Sequence, residues 1–297
     1  MNFKKSLLCL TFILYGIGLA NVPAFDEKRA FELLQKQCDM GARHPGSPGH
    51  AQCLEWMVQE LTDCGAAVQT QAFPFRDPKT GSSYVLHNVI ASFGKQKNRF
   101  LLCAHWDTRP RADEDPTLAN RSKPVPGAND GASGVAVLLE IARSLKKQPA
   151  PIGVDIVLFD GEDSGLYGRN ETWCQGARYF AEHLPISVEN TQAILIDMIG
   201  DSDLWLPKEG HSVQYAPNLV QRVWQKAKTL GLTVFQSKIG PYVIDDHIEL
   251  LRAGIPAIDI IDFDYPYWHT IEDTPDKCSP GSLKTIGNLL LHVIYEL

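Results

Sequence analysis

The 297-residue chain is predicted to fold as an α/β protein, a single-domain α/β/α sandwich around a mixed, mostly parallel central sheet. Three observations predict it. Short apolar runs of buried-strand length recur: "FLLCA", "VDIVLF", "AILI" and "AIDII". Segments with apolar residues at helical spacing alternate with them. No repeat, low-complexity tract or linker-like stretch divides the chain after its first residues.

The elements follow in order. Residues 31–38 read as a short helix. "PGSPG" (45–49) is turn chemistry. A helix follows it, because Leu54, Val58 and Leu61 recur at helical spacing. Residues 84–93 and 100–104 read as strands, and 109–127 as a polar loop with prolines at 110, 116, 124 and 126. Val135, Leu138, Leu139, Ala142 and Leu145 mark one face of the next helix. Residues 154–159, 193–196 and 255–261 are further strands, and another ends near Ile239. Helical patterns lie at 174–183, 218–230 and 246–253, with a last one over 281–296.

The first residues carry an address. Lys4 and Lys5 precede the apolar stretch from Leu7 to Ala20, and small residues stand at Gly18, Ala20 and Ala24. This is the pattern of a signal peptide over residues 1–24, cleaved after Ala20 or Ala24, with one domain over 25–297. The expectation is an exported protein, periplasmic or secreted. No later run approaches the length of a membrane span, so no stable membrane insertion is expected after cleavage. Beyond the leader stand six cysteines, 38, 53, 64, 103, 174 and 278. Their even number is compatible with disulfides, while the lack of a C-x-x-C pair argues against a structural zinc cluster. A net charge of −7 argues against nucleic acid as a partner.

Ligands in open α/β sheets bind beyond the carboxyl ends of the strands. The polar residues collect there. His105 and Asp107 follow one strand, and Asp130 sits in "GANDGASG" before a helix. Asp160, Glu162 and Asp163 follow "VDIVLF", and Asp197 follows "AILI". Asp245, Asp246 and His247 come after Ile239, and His269 after "AIDII" and its loop. Singly, each could be a helix cap, a turn or a solvated loop. Together they would repel one another at one sheet edge unless a divalent cation intervened. Carboxylate and imidazole without thiolate suit zinc at a catalytic site. Of the adjacent Glu162 and Asp163, one can bind metal while the other acts as acid or base.

In these residues the chain resembles the zinc aminopeptidase clan and its glutaminyl-peptide cyclotransferases. The resemblance runs from about Arg43 to the C-terminus through "RHPGSPG", "AHWD", "GANDGASG", "FDGED", "LIDMIG", "DDHIELLRAGIP" and "YWHT". It implies Asp130, Asp163 and His269 as ligands of one zinc ion, and Glu162 as catalytic acid/base, with Asp197 and Asp245 as hydrogen-bonded acids beside it. Trp268, and Trp173 in "TWCQGARYFA", would line the substrate pocket. His105 and Asp197 match the additional ligands of two-zinc aminopeptidases, with Asp130 bridging. One departure stands out: the clan usually has two glutamates where this chain has Glu162-Asp163, one methylene shorter at the ligand.

The implied reaction converts the N-terminal glutamine of peptide or protein substrates to pyroglutamate and releases ammonia. Trp268 and the acid Asp245 are the cyclase-like features. The rival is a two-zinc aminopeptidase, and a reading from another class is a metal-binding receptor domain without catalysis, which the intact Glu162 disfavours.

Overall fold

The structure is a computed structural model that describes residues 22–296. The expected leader over 1–24 therefore lies outside the described residues except for positions 22–24.

Helix α1 (Glu27–Asp39) is capped by Asp26, whose side chain accepts the Arg29 amide at 3.1 Å. It starts earlier than the apolar pattern because its first turn is polar. Helix α2 (Pro48–Asp63) begins inside the proline-glycine turn: Ser47 caps it, and Pro48 takes the first position, where no amide hydrogen is needed. Strands β1 (Ala67–Arg76), β2 (Ser83–Phe93) and β3 (Arg99–His105) follow. Then come α3 (Ala132–Lys147), β4 (Gly153–Phe159), α4 (Gln175–Glu182), β5 (Thr191–Asp197) and β6 (Leu206–Lys208). The chain continues through α5 (Gly210–Tyr215), α6 (Pro217–Thr229), β7 (Phe235–Ile239), α7 (Asp246–Arg252), β8 (Ala257–Ile261) and α8 (Pro280–Glu296).

The main sheet has the order β1-β2-β4-β3-β5-β8. The β1/β2 and β2/β4 pairs are antiparallel, and β4/β3, β3/β5 and β5/β8 are parallel. The four parallel strands therefore deliver their carboxyl ends to one edge. Their apolar runs face both ways, as a sheet covered on both sides requires. Leu102, Ile156, Ile194 and Ile258 join a core with α1, α2, α3, α6 and α8. Leu101, Val157, Leu195 and Ala257 pack on the other face against Ala177 and Phe180 of α4 and Leu250 of α7. The predicted sandwich and mixed sheet are thus what the chain forms.

Three elements escaped the sequence reading. Strand β1 is rich in polar residues and contains Pro74, which normally argues against a strand. It lies at the sheet edge, where a missing amide hydrogen is tolerated. The short β6 and α5 carry too few residues for a period. The strand expected before Ile239 is β7, but it pairs only with β6, in a separate two-stranded sheet. Asp245 therefore reaches the site on the loop into α7 rather than from the main sheet. All six described cysteines are free thiols, so the disulfides that their even number allowed are absent among the described residues.

Glu209 ties this second sheet to α7. Its carboxylate accepts the amides of His211 (2.8 Å), Ser212 (2.6 Å) and Val243 (3.0 Å) and the Ser212 hydroxyl (2.7 Å), with His247 Nε2 at 3.2 Å. Burial alone would raise its pKa, but His247 and these donors outweigh it and hold it at about 2, below the ordinary 4.5. A depressed carboxyl stabilises the fold above its unfolded value, and that contribution is lost as pH falls through the folded one. Glu209→Gln should therefore lower stability at pH 7 by about 2 kcal/mol. The gap to the parent protein should close as pH falls from about 4.5 towards 2. Thermal unfolding of both proteins across that range checks this, and a pH-independent gap would contradict it.

Candidate active site

Each sequence-predicted residue is placed by a specific local device. His105 ends β3, and Asp107 follows two residues later. The Asp107 carboxylate accepts the backbone amides of Glu162 (3.1 Å) and Asp163 (3.2 Å), which fixes the turn after β4. Asp273 does the same for the loop before α3, accepting the amides of Asn129 (2.8 Å) and Asp130 (3.1 Å). Gly131, at φ +98°, is required there: a Cβ would meet the Asp107 carbonyl at 2.7 Å. Asp197 ends β5 and accepts the amide of Met198 at 2.8 Å. Asp245 caps α7 through the Asp246 amide at 2.6 Å. His269 sits at φ +55°, a left-handed conformation that only a well-braced loop holds in a non-glycine residue.

Asp130, Asp163 and His269 come together, each with a donor atom within 4.8 Å of the other two. His269 Nε2 lies 2.9 Å from Asp163 Oδ1 and 3.6 Å from Asp130 Oδ2. Both Asp163 oxygens and Asp130 Oδ2 are buried without a hydrogen-bond partner among the described residues. Orphaned carboxylate oxygens converging with an imidazole fit a divalent cation, which supplies the missing charge. Without one, burial pushes the Asp163 carboxyl up to about 8, and it holds the His269 ring down at about 4, in the neutral form a metal needs.

His105, Asp130 and Asp197 form a second group of donors within 4.8 Å. Here His105 Nε2 lies 3.1 Å from both Asp130 Oδ1 and Asp197 Oδ1. Asp130 is thus shared, one oxygen towards each group. In the second group His105 Nε2 contacts both acids, while His105 Nδ1 is buried without a hydrogen-bond partner among the described residues. Beside them lie Glu162 and Asp245. Burial, and then the Asp163 carboxylate, pushes the Glu162 carboxyl well above its usual range. Burial and then Asp197 raise Asp245 to about 6.

Asp130, Glu162, Asp163, Asp197, Asp245 and His269 floor a pocket of about 210 Å³. Trp173, Trp268 and Tyr167 line it, and Tyr242, Ile244 and Phe263 add further apolar lining. Trp268 stacks on the His269 ring with centroids 3.8 Å apart, and Trp173 lies parallel to that ring at 6.1 Å. Gly165 leaves the space Trp173 fills, since a Cβ there would come within 2.2 Å of the indole. A larger groove of about 660 Å³ between α6 and β7 holds no comparable cluster of acids. Asp160 turns elsewhere: it pairs with His50 at 3.0 Å and accepts the His87 amide at 2.7 Å.

Several contributors were not singled out from sequence. The Tyr167 hydroxyl lies 2.8 Å from His269 Nδ1, and nothing in "GLYGRN" signals that role. Arg109, read as the start of a polar loop, is fully buried. It donates to the carbonyls of Asp163 (2.8 Å) and Gly165 (3.0 Å), grips Asp113, and sits 4.6 Å from the Trp173 ring centre. Asp259 lies within 4.8 Å of donor atoms of Asp245 and His247, and both its oxygens lack a donor among the described residues.

Residues 88–294 match peptidase family M28. The chain is 25% identical to the glutaminyl-peptide cyclotransferase of Boiga dendrophila, over 86% of this chain and 77% of that one. It is 37% identical to the crystal structure of Bacteroides thetaiotaomicron glutaminyl cyclase, with a TM-score of 0.90 over 93% of this chain and 100% of that one. A crystal structure described as a leucine aminopeptidase precursor from the same species is as similar, at 37% identity and a TM-score of 0.91 over 94% of this chain and 100% of that one. The ordered motifs, the sheet and these likenesses agree, and the chain belongs to peptidase family M28.

Proposed function

We propose that this chain is a zinc-dependent glutaminyl-peptide cyclotransferase acting on peptides and proteins with N-terminal glutamine. The observation that carries the proposal is the pocket: small, walled by Trp173 and Trp268, with the buried Asp130, Asp163 and His269 at its floor and Glu162 and Asp245 beside them. A pocket of about 210 Å³ has room for one side chain. The named cyclases among the similar proteins support the same reading.

Asp130, Asp163 and His269 would hold one zinc ion, which supplies Lewis-acid polarisation of the substrate's γ-carbonyl. The tryptophans hold the glutamine side chain folded towards its own α-amine and exclude water. Glu162 takes a proton from the α-ammonium, and the freed amine nitrogen bonds to the γ-carbon. That nitrogen then sheds a second proton to become the lactam N–H, as the bond from the γ-carbon to the carboxamide nitrogen breaks. Glu162 delivers one of the two protons to the carboxamide nitrogen, which leaves as ammonia, and the other passes to solvent. Burial raises the pKa of Glu162, which makes it a stronger proton acceptor than an exposed carboxylate. Asp245 and Asp197 position this exchange. Tyr167 would fix the His269 ring through its other nitrogen.

A second reading, a two-zinc aminopeptidase, has a specific observation in its favour: the His105, Asp130, Asp197 group and its shared aspartate. The cyclase-like Trp268 and Asp245 at the pocket favour the one-ion site instead.

Purified protein should release ammonia and pyroglutamyl product from glutamine-initiated peptides and leave leucine p-nitroanilide intact. Glu162→Gln should lower kcat by about 10²- to 10⁴-fold, and Asp245→Asn by at least about tenfold with zinc retained. Brisk leucine p-nitroanilide cleavage with open N-terminal glutamine would move the assignment to the peptidase.

Metal analysis should find one zinc per chain, lost on chelation together with activity and restored by added zinc. Asp130→Ala and His269→Ala should lose the ion, whereas His105→Ala should keep it. Full activity in a verified zinc-free sample would overturn the metal assignment.

The leader reading supports export. Phe25, just past its last small residue, is buried where α8 offers Gly287 in place of a side chain. The native protein should begin at Asn21 or Phe25 and be found outside the cytoplasm. Recovery of native protein with residues 7–20 intact would count against cleavage.

A further inference from the structure

We propose that Cys174 is a positioning residue, whose thiol holds the Glu162 carboxylate in the orientation from which it moves protons; this rests on the assignment of Glu162 as the acid/base of a cyclase. Cys174 precedes α4 and is 2% exposed. Its Sγ lies 3.7 Å from Glu162 Oε1, within reach of a thiol hydrogen bond. Among the described residues, no other group donates a hydrogen bond to that carboxylate. The segment also straps the backbone beneath it: the Cys174 amide donates to the Glu162 carbonyl at 3.1 Å, and the Gln175 amide to the Gly161 carbonyl at 3.3 Å.

An independent observation is the backbone of Cys174 itself, at φ +56° and ψ +38°. A side chain there is strained, and glycine is the residue that fits without cost. Non-glycine residues at positive φ among the described residues are Cys174, Asn190, Met198 and His269, and all but Asn190 are at or beside this site. A turn that needed only its shape would be better served by glycine. The contact that this side chain makes is with Glu162. The donor atoms of Glu162, Cys174 and Asp245 lie within 4.8 Å of one another, so the carboxylate shares a tight space with one neutral donor and one acid. Losing the donor leaves the Glu162 side chain free to swing away from the attacking amine, and small misplacements of an acid/base group are costly to rate.

The test compares Cys174→Gly, Cys174→Ala and Cys174→Ser in the zinc-loaded full chain, reading kcat, KM and Tm on one glutamine-initiated peptide. Glycine relieves the strain and removes the thiol, so Cys174→Gly should melt no lower than Cys174→Ala. Its kcat should nevertheless fall about tenfold, the scale of a lost hydrogen bond to a charged group, with KM changed less than about twofold. Serine keeps a donor on a shorter side chain and should recover part of the loss. A Cys174→Gly kcat equal to that of the parent protein overturns the inference, as does a serine variant no better than glycine. If the parent protein itself leaves N-terminal glutamine open, it is the cyclase reading that fails, and the two failures are told apart.

Discussion

Buried carboxylates that lack hydrogen-bond donors are the constraint on which the rest of this molecule turns. Both oxygens of Asp163, and one each of Asp130 and Asp245, are buried without a partner among the described residues. Burying unpaired charge is far costlier than one residue's packing can repay. Such a cluster persists in a folded chain only if protons, imidazolium or a bound cation neutralise it. The chain uses these devices in different places. His105 settles between Asp130 and Asp197, the Glu162 and Asp245 carboxyls are driven towards their protonated forms, and Asp130, Asp163 and His269 converge on a place suited to a cation.

What holds the cluster together is mostly backbone cradled by acids that do not face the pocket. Asp107 and Asp273 each accept two consecutive amides, and so set the two loops that carry Glu162-Asp163 and Asp130. Arg109 adds a buried positive charge behind Asp163 and packs against the aromatic wall. The supporting residues thus hold Asp130, Glu162 and Asp163 with little freedom. The left-handed backbone at Cys174, Met198 and His269 belongs to the same bracing, since strain of this kind survives only where surrounding contacts over-determine the conformation.

The shorter side chain of Asp163 is absorbed without losing the convergence. Its Oδ1 still comes to 2.9 Å from His269 Nε2, because the turn after β4 is drawn in by Asp107 on one side and Arg109 on the other. The pocket above is shaped by packing rather than by charge. Trp268 lies on the ring of the histidine that follows it, and Trp173 fits the space left by Gly165. Aromatic walls over a charged floor lower the dielectric around the acids, and so strengthen the electrostatic interactions there.

The apolar runs at 100–104, 154–159, 193–196 and 255–261 were legible as strands because a two-sided buried strand is written in consecutive apolar residues. Their polar successors, His105, Glu162-Asp163 and Asp197, were legible as one cluster because parallel strands bring their carboxyl ends together. The order of motifs was enough for the family. The rest needed the third dimension. Strand β1 could not be read because an edge strand tolerates proline and polar residues, and β7 was legible as a strand but not as one outside the main sheet. Arg109 looked like loop chemistry until the fold buried it behind Asp163. The contacts of Tyr167 with His269, and of Cys174 with Glu162, join residues whose spacing in the chain follows no period. Periodicity records which face of an element meets the core. Which side chains meet across loops is decided only when the whole chain has packed.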